Sequence, residues 1–176
     1  MGFRRATALI ATLALMAQPA WAQAPGWHYS PLPGEGDRAS MGCARASGPE
    51  SFTCLVVRCE DDYSVGIHVH SSRSEGDVGS WSMTLDREDR VIAAVPDAAP
   101  YGALLRDEDG WLLDGLRHGT FLYLRHGDDS ADGFAYIDLA GSFRAIQEAL
   151  YWCAPRVGAG EQNEPPGVEP RTNNGE

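Results

Sequence analysis

The sequence predicts an all-β, antiparallel domain, a β-sandwich or barrel-like sheet, with one C-terminal α-helix packed on the sheet. Three observations predict it. Short runs rich in β-branched and aromatic residues recur between residues 51 and 139, separated by turn-forming Gly, Pro and Asp. Helical periodicity is convincing only after residue 141, where Phe143, Ile146, Leu150 and Cys153 make one stripe. Four cysteines follow a start that reads as an export leader.

Residues 1–22 read as a signal peptide. Arg4 and Arg5 precede an apolar run over residues 6–17, and small residues offer cleavage after Ala22 or Ala24. The run is too short to span a bilayer, and no later stretch approaches that length, so no integral membrane segment is expected in the mature chain. The expected location is periplasmic or secreted. The 154 residues after a cut at Ala22 are enough for one domain with its own core. That domain is placed at residues 27–155, a single disulfide-stapled β-rich unit.

The elements follow in order. Residues 23–42 are rich in Pro and Gly and read as an extended lead-in. Residues 51–59 (SFTCLVVRC) read as a strand apolar on both faces, hence central and covered on both sides. Residues 65–70 (VGIHVH) alternate, with Val65, Ile67 and Val69 on one face and Gly66, His68 and His70 on the other. These two runs should form an antiparallel hairpin across Glu60-Asp61-Asp62. Further strands are expected at residues 80–85, 91–95, 111–113, 120–125 and 133–139. Ser142 is placed to cap the final helix and Pro155 to end it. Phe143, Ile146 and Leu150 should bury against the sheet. Residues 156–176 carry almost no apolar content and read as a disordered tail.

Cys43, Cys54, Cys59 and Cys153 allow three pairings. Cys54 and Cys59 lie in one strand, about 16 Å apart, beyond the ~7 Å reach of a bridge. Two patterns remain: Cys43–Cys54 with Cys59–Cys153, which is preferred, or Cys43–Cys59 with Cys54–Cys153. The spacing is wrong for a thioredoxin-like redox site.

The charge is lopsided. All 14 basic residues are arginine, against 25 acids. Cleavage removes Arg4 and Arg5 and no acid, which shifts the net charge from −11 to −13. Such a field disfavours nucleic acid and anionic lipid headgroups. It suits a cationic protein or envelope component as partner.

Several motifs bear on chemistry. His68 and His70 share a strand face at a metal-ligand spacing, and His118, His126 or His28 would have to complete a site. Because that face opposes the apolar one, solvated strand histidines are the expectation. Arg-His-Gly occurs at residues 117–119 and 125–127. The tripeptide resembles the histidine phosphatase motif, but it falls late in a β-rich chain, which favours strand-edge polar clusters. Residues 128–133 (DDSADG) match half of an EF-hand loop and lack the acid at the twelfth position. There is no nucleophile elbow. No cofactor is implied.

Tyr136-Ile137-Asp138-Leu139-Ala140-Gly141-Ser142-Phe143-Arg144-Ala145-Ile146, followed by Leu150 and Cys153, resembles small exported bacterial envelope proteins of the invasion-associated locus B type. Leu55-Val56-Val57-Arg58-Cys59 is similar to a strand-plus-Cys pattern in such proteins. The resemblance covers about a fifth of the chain and implies an exported, non-enzymatic β-sandwich. The sequence therefore favours a non-catalytic exported envelope protein that binds another macromolecule. The alternative is a metal-binding or hydrolytic periplasmic enzyme using His68, His70, His118 and His126.

Overall fold

Among the described residues nine antiparallel strands form one sheet, and the alternation seen in the sequence decides which residues enter its core. The computed structural model describes residues 25–29, 38–130 and 133–153. The expected leader, residues 23–24 and 30–37 of the lead-in and the expected tail at 156–176 lie outside the described residues. In chain order the elements are β1 Gly26–Tyr29, β2 Ala39–Cys43, β3 Thr53–Cys59, β4 Val65–Ser71, β5 Gly79–Leu85, β6 Glu88–Pro96, β7 Ala103–Leu105, α1 Trp111–His118, β8 Phe121–His126, β9 Ala135–Asp138 and α2 Ser142–Leu150.

The spatial order is β1-β2-β3-β4-β7-β6-β5-β8-β9. Every neighbouring pair is antiparallel. Strand twist curls the sheet toward a barrel. The Arg45 amide, just past β2, donates to the Tyr136 carbonyl of β9 at 3.0 Å, so β9, the last strand of the sheet, meets the end of β2, the second. α2 packs on β1, β2 and β3 and touches α1.

The concave side holds the main core. Leu55, Val57, Ile67, Val69, Trp81, Met83, Leu122, Leu124 and Ile137 come from the strands, and Leu112, Leu116 and Ile146 from the helices. A second cluster covers the other face of β2 and β3: Ala39, Met41, Cys43, Cys54 and Val56, under Tyr101 from the β6–β7 connection. β3 is thus buried on both sides, as its sequence predicts. Both bridges follow the preferred pattern. Cys43–Cys54 joins facing residues of β2 and β3, and Cys59–Cys153 ties the turn after α2 to the end of β3.

Five expectations are corrected. Residues 111–113 are not a strand but the first turn of α1. The Asp107 carboxylate accepts the Leu112 and Leu113 amides, both at 2.9 Å, which starts a helix, and Leu112 and Leu116 then bury one face of it. The lead-in contains β1 and β2, because Ala39, Met41 and Cys43 alternate inward against β3. Trp27 of β1 packs against Gly42, where any side chain would strike its indole. β7 was not foreseen, since three residues carry too little pattern. Ser142 does not cap α2; Gly141 holds that position at φ 84°, and the Ser142 hydroxyl donates back to the Leu139 carbonyl at 2.7 Å. Phe143 is 42% exposed, and the buried stripe of α2 is Ser142, Ala145, Ile146 and Ala149. Small residues let α2 sit close to the sheet, which turns Phe143 to its flank.

Candidate functional site

A groove of about 740 Å³ lies between the β3–β4 turn and the β7–α1 connection. Glu60, Asp61, Asp62, Asp97, Asp107 and Glu108 line it, and Arg106 is the one basic residue in its wall. Some of these acids have structural partners. Asp107 holds the start of α1 as above. Asp61 pairs with Arg38 at 3.0 Å. Asp62 accepts the Ser64 hydroxyl at 2.6 Å and its amide at 2.9 Å, and these bonds, the hydroxyl first, hold its carboxyl below the usual carboxylate range.

Behind the groove wall lies His68, fully buried on β4. Its Nε2 stands 2.8 Å from Glu60 Oε1, and the other oxygen of Glu60 accepts from Arg58 at 2.6 Å. A carboxylate only accepts, so Nε2 carries the hydrogen. Nδ1 lies 3.9 Å from Asp97. Gly66 makes the Glu60 contact possible: a side chain there would strike the Glu60 carboxylate. The expectation of a solvated histidine face is therefore corrected. Tyr101 and Glu60 cover it, and a histidine with no exposed surface reaches no substrate in this arrangement. His70, on the same face, sits between Phe52 at 5.0 Å and Tyr101 at 6.3 Å. Burial pushes its pKa down, against a smaller upward pull from Asp77.

The other histidines lie apart. His126 is 4% exposed and stands edge-on to Trp81. Its Nε2 is 3.1 Å from the Val78 carbonyl, and the Asp128 amide donates to its Nδ1 at 3.2 Å. Those two bonds select the Nε2–H tautomer and occupy both nitrogens. His118 ends α1, with Nδ1 3.0 Å from Asp114 Oδ1, and lines a second cleft of about 670 Å³. His28 is exposed on β1. Among the described residues no group of three or more His, Cys, Asp or Glu is placed to hold a metal ion. The two Arg-His-Gly copies fall at the ends of α1 and β8. Asp129 of the acidic loop pairs with Arg73, and residues 131–132 of that loop lie outside the described residues.

A further surface was not foreseen. β8 sends Phe121, Tyr123 and Arg125 outward, while Leu122, Leu124 and His126 point inward. Tyr123 faces Tyr136 of β9, their centroids 5.1 Å apart. Phe121 stacks on Tyr136 at 6.0 Å, and Phe134 stands edge-on to Tyr123 at 6.5 Å. Arg45 lies over Tyr136 at 4.6 Å and Arg125 over Phe134 at 5.0 Å. The period-two alternation of residues 121–126 was the available signal. The register with β9 that brings the rings together was not.

No protein-family model, curated protein or solved structure matches this chain. Among the described residues no helix is long and apolar enough to cross a membrane.

Proposed function

We propose that this is a non-catalytic exported protein, periplasmic or secreted, that binds another macromolecule of the envelope, and that its acidic groove receives a cationic protein. The groove carries the reading: six carboxylates and a single arginine line one concavity. In a chain this acidic, that concentrates negative potential where a basic segment would dock. Two disulfides suit an oxidising compartment. The resemblance to exported envelope proteins points the same way.

Titration of a basic lysozyme-like protein at low and high salt tests the proposal. Exposed charges are screened within about 8 Å at physiological ionic strength, so affinity should fall steeply with salt, and Glu108→Gln with Asp62→Asn should weaken it further. Binding indifferent to salt, or none, removes the cationic partner.

A further inference from the structure

We infer that His68 is a proton-operated latch between Glu60 and Asp97 of the acidic groove, so that a cationic partner is held near neutral pH and released in mild acid. The release half rests on the groove reading above; the latch itself does not. Glu60 enters the groove from the β3–β4 turn and Asp97 from the β6–β7 connection. The His68 ring lies between these two acids and has no exposed surface. Its Nε2–H is engaged by Glu60 at 2.8 Å. Its Nδ1 is a buried acceptor with no hydrogen-bond partner among the described residues. The atom nearest to it from the groove, Asp97 Oδ2 at 3.9 Å, is also an acceptor. Two acceptors therefore face one another, and a buried acceptor without its hydrogen bond is costly.

Burial limits what supplies a donor to Nδ1. Val56 of β3 and Leu104 of β7 stand opposite His68 in register, and neither titrates. Tyr101 of the β6–β7 connection, itself fully buried, lies 6.1 Å from the ring. A ligand group does not pass them. A proton does, by way of Asp97, whose side chain is 32% exposed. Imidazole is the side chain that changes charge between pH 5 and 8. The second proton turns Nδ1 into a donor aimed at Asp97, and about 1 Å of movement brings the pair to the length of a charge-assisted bond. Burial alone disfavours a charged ring, but here each nitrogen meets a carboxylate, which is what a buried cation needs. The other charged group at the ring is Arg58, which donates to the second Glu60 oxygen at 2.6 Å. His70, two residues along β4, stands against Phe52 and Tyr101. Glu60, Asp97 and Arg58 thus make two anions against one cation, and the second proton balances them. Glu60 and Asp97 then both face an internal cation, and the groove presents one negative charge fewer to a basic partner. By reciprocity, binding of that partner expels the proton.

The latch is read directly by NMR of the full chain with isotope-labelled histidine, between about pH 7.5 and about pH 5.5. The His68 Nδ1 signal should move from an acceptor to a donor position, and the Asp97 carboxyl carbon should shift in step. Over the same range, at fixed salt, binding of a basic lysozyme-like protein should weaken about fivefold, as for one partly exposed ion pair. Asp97→Asn changes a partly exposed side chain and should remove that step. His118→Gln, in the second cleft, should keep it. A His68 Nδ1 signal that stays an acceptor at the acid end, or a binding step that persists in Asp97→Asn, would overturn the proposal. No binding at either pH would overturn the groove reading instead, and the NMR signals would still decide the latch.

Discussion

The Glu60 carboxylate bridges His68 and Arg58, 2.8 Å from the imidazole and 2.6 Å from the guanidinium. Glu60 sits just past β3, yet it reaches back over Gly66 to a histidine on β4. One acid thereby locks the end of the central hairpin and seals a buried polar layer beneath the groove. Deleting one partner of such a layer costs more than the layer itself contributes, because the others stay buried. Glu60→Ala should destabilise the fold by about 3 kcal/mol, read as a shift in urea midpoint with an unchanged slope. A change within error would mean that water replaces the carboxylate freely.

α2 provides a contrast within one helix. Ile146 is fully buried, whereas Phe143 lies at the flank beside His118 and Arg117. Ile146→Ala should cost about 2–5 kcal/mol. Phe143→Ala should cost less than about 1 kcal/mol, as for surface positions. Equal losses in denaturant melts would show that the helix presents another face to the sheet.

The two disulfides should differ in weight. Cys59–Cys153 spans 94 positions and Cys43–Cys54 spans 11. Loop entropy assigns roughly 4.7 kcal/mol to closures of order 100 residues and roughly 3 to those of order 15. Cys153→Ser should therefore lower stability more than Cys43→Ser, and it should speed hydrogen exchange in α2, a nine-residue helix that is marginal alone. Slower unfolding in Cys153→Ser than in Cys43→Ser would contradict this ranking.

Acid should weaken the fold through His70. Burial lowers its pKa in the native state, while the unfolded chain titrates near the ordinary value of about 6.5. Below that pH the unfolded state takes up the proton more readily, so stability falls as pH drops toward the native pKa. His70→Gln should flatten this part of the stability curve below about pH 6.5. An identical acid limb in the variant, measured by urea melts at several pH values, would assign the loss to other groups.

Much of the sheet was legible in the sequence by itself. Alternation over residues 65–70 and the doubly apolar run at 51–59 specify the β3–β4 hairpin, since a strand's period of two shows which face is dry. Cysteine geometry along β3 excluded one pairing and left two patterns, of which the preferred one is found. The final helix and the absence of a redox motif were equally local matters. Only the tertiary structure decided the rest, because those features depend on residues distant in sequence. Residues 111–113 look like a strand until Asp107 caps them as a helix. His68 looks solvated until Glu60 and Tyr101 fold over it. The acids of the groove come from two separate turns. The rings of β8 and β9 become one surface only through a register that neither strand encodes alone. Local pattern reports which face of an element is apolar, but what covers the polar face is settled by packing between elements.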